Sequence, residues 1–265
     1  MVFERHLALW QLTPDGDPIG TRGSRLLPVR RRDGSAAMLK IAEEEEARGA
    51  ALMIWWAGDG AARVLAHDSN ALLLERALGG AALVEMAHGG QDDEASRILC
   101  SVAARLHAPR PTSPPALVPL PIWFQELEPA AAAHGGILVE AAAAARALLA
   151  DPQELCVLHG DIHHANILDF GTRGWLAIDP KGLLGERGFD FANIFCNPDA
   201  PVATAPGRLA RQVDVVTSAA SLEPGRLLKW LLAYAGLSAA WSLGEGERPD
   251  LALAVAVQAA AALSI

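Results

Sequence analysis

The chain has 265 residues, of which 51% are hydrophobic and 20% charged, a composition that can bury one large core or two lobes and excludes an extensively disordered protein. Its net charge of −9 disfavours nucleic acid, whose phosphates call for a basic face, and suits a small cationic partner. Cys100, Cys156 and Cys196 show no CxxC pairing and predict a reduced, cytoplasmic protein, while neither the charged start MVFERHLALWQL nor the short alanine-rich tail 251–265 reads as a signal or a membrane span.

Residues 7–12 read as a first strand, ended by Thr13-Pro14-Asp15-Gly16-Asp17-Pro18. Gly20, Gly23 and Ser24 then lie in a small-residue stretch ahead of the apolar run 26–29. Their backbone N–H groups are available to phosphates; a plain hairpin turn is the competing reading, because no GKS or GKT follows. Arg32-Asp33-Gly34-Ser35 turns the chain into Ala36-Ala37-Met38-Leu39-Lys40-Ile41, which carries Lys40 on a mostly apolar strand. In a loop-strand-turn-strand order, that is where a kinase keeps the lysine that neutralises the α- and β-phosphates.

The glutamates at 43–46 open a helix whose acidic first turn suits the helix dipole. Glu46 shares a helical side with Ala50 and Met53 and is the glutamate expected to pair with Lys40, with Glu43 as the alternative. Strands at 63–66 and 71–74 complete a five-stranded antiparallel sheet. Glu75 and Ala77, just before Gly79-Gly80, read as a hinge whose backbone can pair with adenine. The boundary between an N-terminal nucleotide-binding lobe, 1–76, and a mainly helical catalytic and substrate-binding lobe, 77–265, falls here.

Beyond it, Ile98, Leu99, Val102 and Leu106 form a 3.6-residue stripe on a helix at 95–107. The proline-rich stretch 109–121 reads as a surface linker, and 137–149 as another helix. The rest of the chain is organised around CVLHGDIHHANILDFGTRGWLAIDPKG, 156–182. Its apolar start delivers the polar loop His159-Gly160-Asp161, and Asn166 precedes a short strand. A turn at 171–174 then leads into a second strand that ends at Asp179. Such a hairpin brings Asn166 close to Asp179, where their oxygens can share one hard cation.

The order Asp-x4-Asn, hairpin, Asp is that of a kinase base and its two Mg²⁺ ligands. Asp169-Phe170-Gly171 spells the kinase metal motif letter for letter, but it follows Asn166 by three residues, which leaves no hairpin between the two, so Asp179 is preferred. The competing reading of Asp161 is a turn aspartate capping backbone amides. A metallophosphoesterase, suggested by GDIH, needs further GDxxD and GNH-type clusters downstream, and the sequence has none after His163. A non-catalytic nucleotide-binding regulator is expected to have lost Lys40, Asp161 or Asp179, and all three are present.

HGDIHHANI, RGWLAIDPKGLLGE, ANIFCNP and LSAAW, with EARGA at 46–50, make the chain resemble the aminoglycoside phosphotransferase family, and within it the streptomycin 6-phosphotransferase and hydroxyurea kinase branch. The resemblance covers most of the chain. It implies an α+β, two-lobed protein-kinase-like fold and an ATP- and Mg²⁺-dependent kinase of a small hydroxyl compound, such as streptomycin at its 6-position, conferring antibiotic resistance. Hydroxyurea is the alternative acceptor. Asp161 is then the base that collects the hydroxyl proton, Asn166 and Asp179 hold Mg²⁺, and Asp190 braces the catalytic loop. His163 and His164 are expected to serve a structural or loop hydrogen-bonding role. Streptomycin carries two guanidinium groups, so Glu245, Glu247 and Asp250 are candidate partners beside Trp241, which can cover a ring face; a merely solvated acidic loop is the competing reading. Nothing in the sequence sets an oligomeric state, and a monomer is compatible with it.

Overall fold

The computed structural model describes residues 2–21, 23–42 and 47–264. The first part of the chain runs α1 (Glu4–Leu9), β1 (Thr13–Pro14), β2 (Ile19–Gly20), β3 (Ser24–Arg30), β4 (Ala36–Ala42), α2 (Ala47–Trp56), β5 (Val64–Asp68) and β6 (Ala71–Glu75). The strand expected at 7–12 is helix over its first half, through Leu9, and turn beyond it: Phe3, Leu7 and Trp10 recur at helical spacing and pack together on one face of the sheet. Two two-residue strands, β1 and β2, pair with β3 in its place, so the sheet has six strands rather than five, all antiparallel, in the order β1-β3-β4-β6-β5 with β2 also on β3.

Side-chain alternation along β4 assigns its two faces. Ala37, Leu39 and Ile41 join the small core beneath α1, while Met38, Lys40 and Ala42 belong to the other face, turned toward the rest of the molecule. In the same way Ala71 and Leu73 of β6 enter the small core and Leu72 and Leu74 the large one.

The second lobe is mainly helical: α3 (Leu83–His88), α4 (Asp92–His107), β7 (Val118–Pro119), α5 (Leu120–Trp123), α6 (Leu127–His134), α7 (Ile137–Ala150), β8 (Leu155–Leu158), β9 (Ile167–Asp169), β10 (Trp175–Ala177), β11 (Leu183–Glu186), α8 (Phe189–Ala192), α9 (Ala200–Ala203), α10 (Arg208–Ala220), α11 (Pro224–Gly244) and α12 (Asp250–Leu263). At its centre α11 buries residues on all sides and packs against α7, α8 and α12. The proline-rich stretch is more than a linker, because its end forms β7, which pairs in parallel with β11, and Leu120 beyond it is buried. Proline is tolerated on this outer strand because the sheet asks for few of its N–H groups. Among the described residues no helix is long and apolar enough to cross a membrane.

Candidate active site

Strand β8, paired antiparallel with β11, carries the chain to His159-Gly160-Asp161. The loop is held from behind by Asp190, which is 1% exposed. Its Oδ2 accepts from the His159 N–H at 2.9 Å and its Oδ1 from the Gly160 N–H at 2.7 Å, and His107 Nε2 lies 2.7 Å from Oδ2. A buried carboxylate with three partners is a strong and directional anchor. His159, stacked on Trp56, accepts from the Asp161 N–H at Nδ1 (3.2 Å), so Nε2 carries the proton that it donates to Ile178 O at 2.8 Å. Burial lowers its pKa against the opposing pull of Asp190 and Asp161, which agrees with a neutral ring. One imidazole thus ties the loop bearing Asp161 to the residue before Asp179.

Asp161 presents both carboxylate oxygens to polar neighbours. Oδ1 accepts from Asn193 Nδ2 at 2.8 Å, and His163 Nε2 stands 3.8 Å from it. On the other side Asn166 Nδ2 lies 3.3 Å and Lys181 Nζ 3.4 Å from Oδ2. Asn166 Nδ2 also donates to Asp161 O at 2.9 Å, which leaves its carbonyl oxygen turned away from Asp161. In the β9–β10 hairpin Ile167 faces Ala177, and the Ile178 N–H donates to Asn166 O at 2.9 Å. The hairpin therefore sets Asn166 beside the segment that ends in Asp179.

Asp179 adopts φ 62°, in the left-handed region where aspartate is among the better-tolerated side-chain-bearing residues. Its carboxylate meets Lys40 Nζ from the other lobe in a short ion pair. Burial would raise its pKa, but the charge and hydrogen bond of Lys40, aided by Lys181, hold it below the usual carboxylate range. Glu46 and Glu43, the expected partners of Lys40, lie outside the described residues.

The remaining predicted positions fall around this centre. Gly20 pairs with Arg25 in the β2–β3 hairpin, and Ser24, buried at the foot of β3, shares a 2.8 Å hydrogen bond with Thr21, so the small-residue stretch is the tip of a hairpin with Gly23 at its bend. Leu26 of that hairpin lies opposite Lys40. Glu75 ends β6; its side chain accepts from the Arg63 N–H at 2.6 Å and pairs with Arg173, and Ala77 follows in the connection to α3. Trp241 packs edge-on against Trp123 with centroids 5.4 Å apart. Glu245, Glu247 and Asp250 are exposed between α11 and α12, where Asp250 pairs with Arg248 at 2.9 Å. A cavity of about 230 Å³ opens on this side, lined by Asn193, Asn197, Ser238, Ser242, Arg248 and Leu251.

Three contacts escaped the reading of the sequence. Asn193 and Lys181, both against Asp161, sit in stretches whose spacing says nothing about which side chain turns inward. His164 is buried 3.8 Å from Asp92, which Arg208 holds through two hydrogen bonds. Only the lone polar residues inside the apolar run FANIFCN hint at the first of these. Among the described residues no cluster of three or more His, Cys, Asp or Glu side chains is arranged to hold a metal ion.

A lysine on the sheet paired to an acid at the end of a hairpin, with a second acid on a braced loop, defines the class of kinases built on the protein-kinase-like fold. Residues 9–246 match the family model described as aminoglycoside/hydroxyurea antibiotic resistance kinase, and the chain belongs to that family. It is an ATP-dependent phosphotransferase with a hydroxyl group as acceptor. It is 55% identical to a streptomycin 3''-kinase of Klebsiella pneumoniae over 89% of this chain and 91% of that protein. A streptomycin 6-kinase of Streptomyces griseus is 32% identical, over 89% of this chain and 80% of its own length. In fold, the chain is similar to a thermostable variant of the aminoglycoside phosphotransferase APH(4)-Ia solved in a ternary complex with ADP and hygromycin B, with TM-score 0.67 at 14% identity over 99% of this chain and 98% of that one.

Proposed function

We propose that the enzyme transfers the γ-phosphoryl group of ATP to streptomycin, inactivating the antibiotic in the cytoplasm. The observation that carries the choice of substrate is the 55% identity to a streptomycin 3''-kinase, against 32% to a 6-kinase, which favours the 3''-hydroxyl over the 6-hydroxyl as acceptor. In this reading residues 1–76 hold the nucleotide. The Gly20–Ser24 hairpin covers its phosphates, Lys40 neutralises them and the backbone from Glu75 to Ala77 meets the adenine. Residues 77–265 hold the acceptor.

Asn166 and Asp179 offer hard oxygen donors of the kind Mg²⁺ takes, and two protein ligands fit an ion that arrives with nucleotide phosphates rather than in a cage of its own. Bound there, Mg²⁺ would neutralise charge on the phosphates. The chain's own part is alignment and charge. The acceptor oxygen forms a bond to the γ-phosphorus as the bond to the ADP oxygen breaks, and the hydroxyl proton passes to Asp161. The cavity lined by Asn193, whose amide touches this base, takes part of the acceptor, while Glu245, Glu247 and Asp250 supply negative charge for guanidinium groups, with Trp241 nearby.

Incubation with ATP, Mg²⁺ and streptomycin should give one phosphorylated product, with the phosphate located on the 3''-oxygen by ³¹P–¹H NMR. Phosphate at the 6-oxygen would reverse the choice of position, and turnover of hydroxyurea but not streptomycin would overturn the substrate. In the same assay Asp161→Asn should lower kcat by on the order of 10³-fold, the scale of a lost general base. Turnover within tenfold of wild type would remove Asp161 from that role.

A further inference from the structure

Asp161 owes its orientation to a residue thirty-two positions later in the chain. Asn193 opens the short helical turn Asn193–Cys196 and is 6% exposed. Its Nδ2 donates to Asp161 Oδ1 at 2.8 Å. Behind it Asn197 Nδ2 donates both to Asn193 O at 3.0 Å and to Asn193 Oδ1 at 2.9 Å. The second contact decides which way the Asn193 amide faces. A flipped amide would set two NH₂ groups against each other on the Asn197 side and two oxygens against each other on the Asp161 side.

The torsion that rotates a carboxylate about its own axis is soft, so nothing within an aspartate side chain fixes where its two oxygens point. A donor that is itself held from behind gives one of those oxygens a fixed direction. With Oδ1 engaged by Asn193, Oδ2 is the oxygen left on the side of Asn166 and Lys181, where the cleft carries Asp179 and Lys40. Asn193 and Asn197 also line the cavity of about 230 Å³. Asn193 thus touches the base and, together with Asn197, lines that cavity.

We infer that Asn197 and Asn193 form a two-amide relay that positions Asp161, turning Oδ2 toward the acceptor hydroxyl and registering the base against the contents of the neighbouring cavity. Both are positioning residues, since they act through Asp161. The inference rests on Asp161 being the base, as proposed above, and it assigns the ANIFCNP stretch a part in catalysis. A misplacement of about 1 Å in such a group can lower turnover on the order of 10²-fold.

The test is a double-mutant cycle on streptomycin turnover joined to an NMR measurement that needs no acceptor. Asn193→Ala and the nearly isosteric Asn193→Asp should each lower kcat by roughly 10- to 100-fold while the KM for ATP stays within twofold. Asn197→Leu should have a smaller effect of the same kind. The double variant Asn193→Ala/Asn197→Leu should be no slower than Asn193→Ala alone, because Asn197 acts only through Asn193. Multiplicative losses, or a KM for ATP that rises in step with the fall in kcat, would overturn the relay. In ¹⁵N-labelled enzyme the Asn193 side-chain amide should be protected from hydrogen exchange, and both Asp161→Asn and Asn197→Leu should shift it. A freely exchanging Asn193 amide in the wild type sinks the relay whatever the acceptor proves to be. A wild type inactive on streptomycin, with the amide protected, removes the proposed substrate and leaves the relay standing.

Discussion

Asp169 closes β9 and Asp179 follows β10, so the two strands of one antiparallel hairpin each deliver an acid, and the surroundings of the two acids differ in kind. Asp169 stands at the turn end. Its Oδ1 accepts from the Gly171 N–H at 2.8 Å, its Oδ2 lies 3.4 Å from the Ala81 N–H, and its carbonyl oxygen accepts from the Gly79 N–H at 3.0 Å. Every one of these partners is backbone, and two come from the connection between the lobes. Asp179 stands at the open end, in a left-handed backbone conformation, with Lys40 from the sheet against its carboxylate. A glycine meets each site: a Cβ at Gly79 would overlap the Asp169 carboxylate, and a Cβ at Gly49 of α2 would overlap the carbonyl oxygen of Pro180. The letters Asp-Phe-Gly belong to the acid fastened to the connection after β6; the acid that meets Lys40 belongs to Asp-Pro-Lys-Gly. Position on the hairpin, more than the spelling of the motif, decides which acid reaches the cleft.

The largest effect should separate the acids directly. Asp179→Ala is expected to abolish Mg²⁺-dependent nucleotide binding in titration calorimetry and to remove turnover, whereas Asp169→Ala should change kcat less than about tenfold and act mainly on stability, by about 1–3 kcal/mol for backbone donors left unpaired. The reverse order would exchange their roles.

Substituting the two glycines sharpens the contrast. In Gly49→Ala the new methyl meets backbone, which cannot swing aside, so both thermal stability and the KM for ATP should suffer as α2 is pushed off Pro180. In Gly79→Ala it meets a side chain; overpacking should cost about 1–3 kcal/mol in urea unfolding with the KM for ATP nearly unchanged. Equal effects on nucleotide binding would mean that the connection at Gly79 and the loop at Asp179 move as one.

A smaller difference should appear with pH. The Asp179 carboxyl is depressed in the folded protein because the pairing with Lys40 outweighs burial. Such a group contributes stability that is fully present above its unfolded pKa and is lost as pH falls through the folded one. Asp179→Asn should therefore flatten the acid limb of the stability curve relative to wild type in urea titrations at successive pH values. An unchanged acid limb would show that the ion pair is not formed in solution.

The smallest effect concerns the acidic loop proposed to meet the acceptor. Neutralising Glu245, Glu247 and Asp250 together should raise the KM for streptomycin severalfold at low salt and leave the KM for ATP unchanged, since exposed charges act over a Debye length and are screened beyond it. No change at low salt would leave this loop as solvated surface.

Apolar patterning and punctuation by themselves determined the order of strands β3 to β6, the helices α4 and α7 and the hairpin that carries Asn166 and Asp179, because those segments are apolar runs or stripes bounded by turn residues. The family was legible by resemblance, through motifs most of which lie between residues 159 and 198. Residues 7–12 were ambiguous at that level: Leu7, Leu9, Trp10 and Leu12 suit a strand or a helix, and only the packing of Phe3, Leu7 and Trp10 on the sheet chose the helix. The proline-rich stretch likewise became β7 only because β11 was there to pair with it. What surrounds Asp161 was decided by tertiary structure alone. Asn193 and Lys181 come from separate segments, and only the folded chain turns their side chains onto the same carboxylate. Local sequence governs the backbone through short-range sterics and periodic burial, whereas the direction of a polar side chain depends on partners far along the chain that no local pattern encodes.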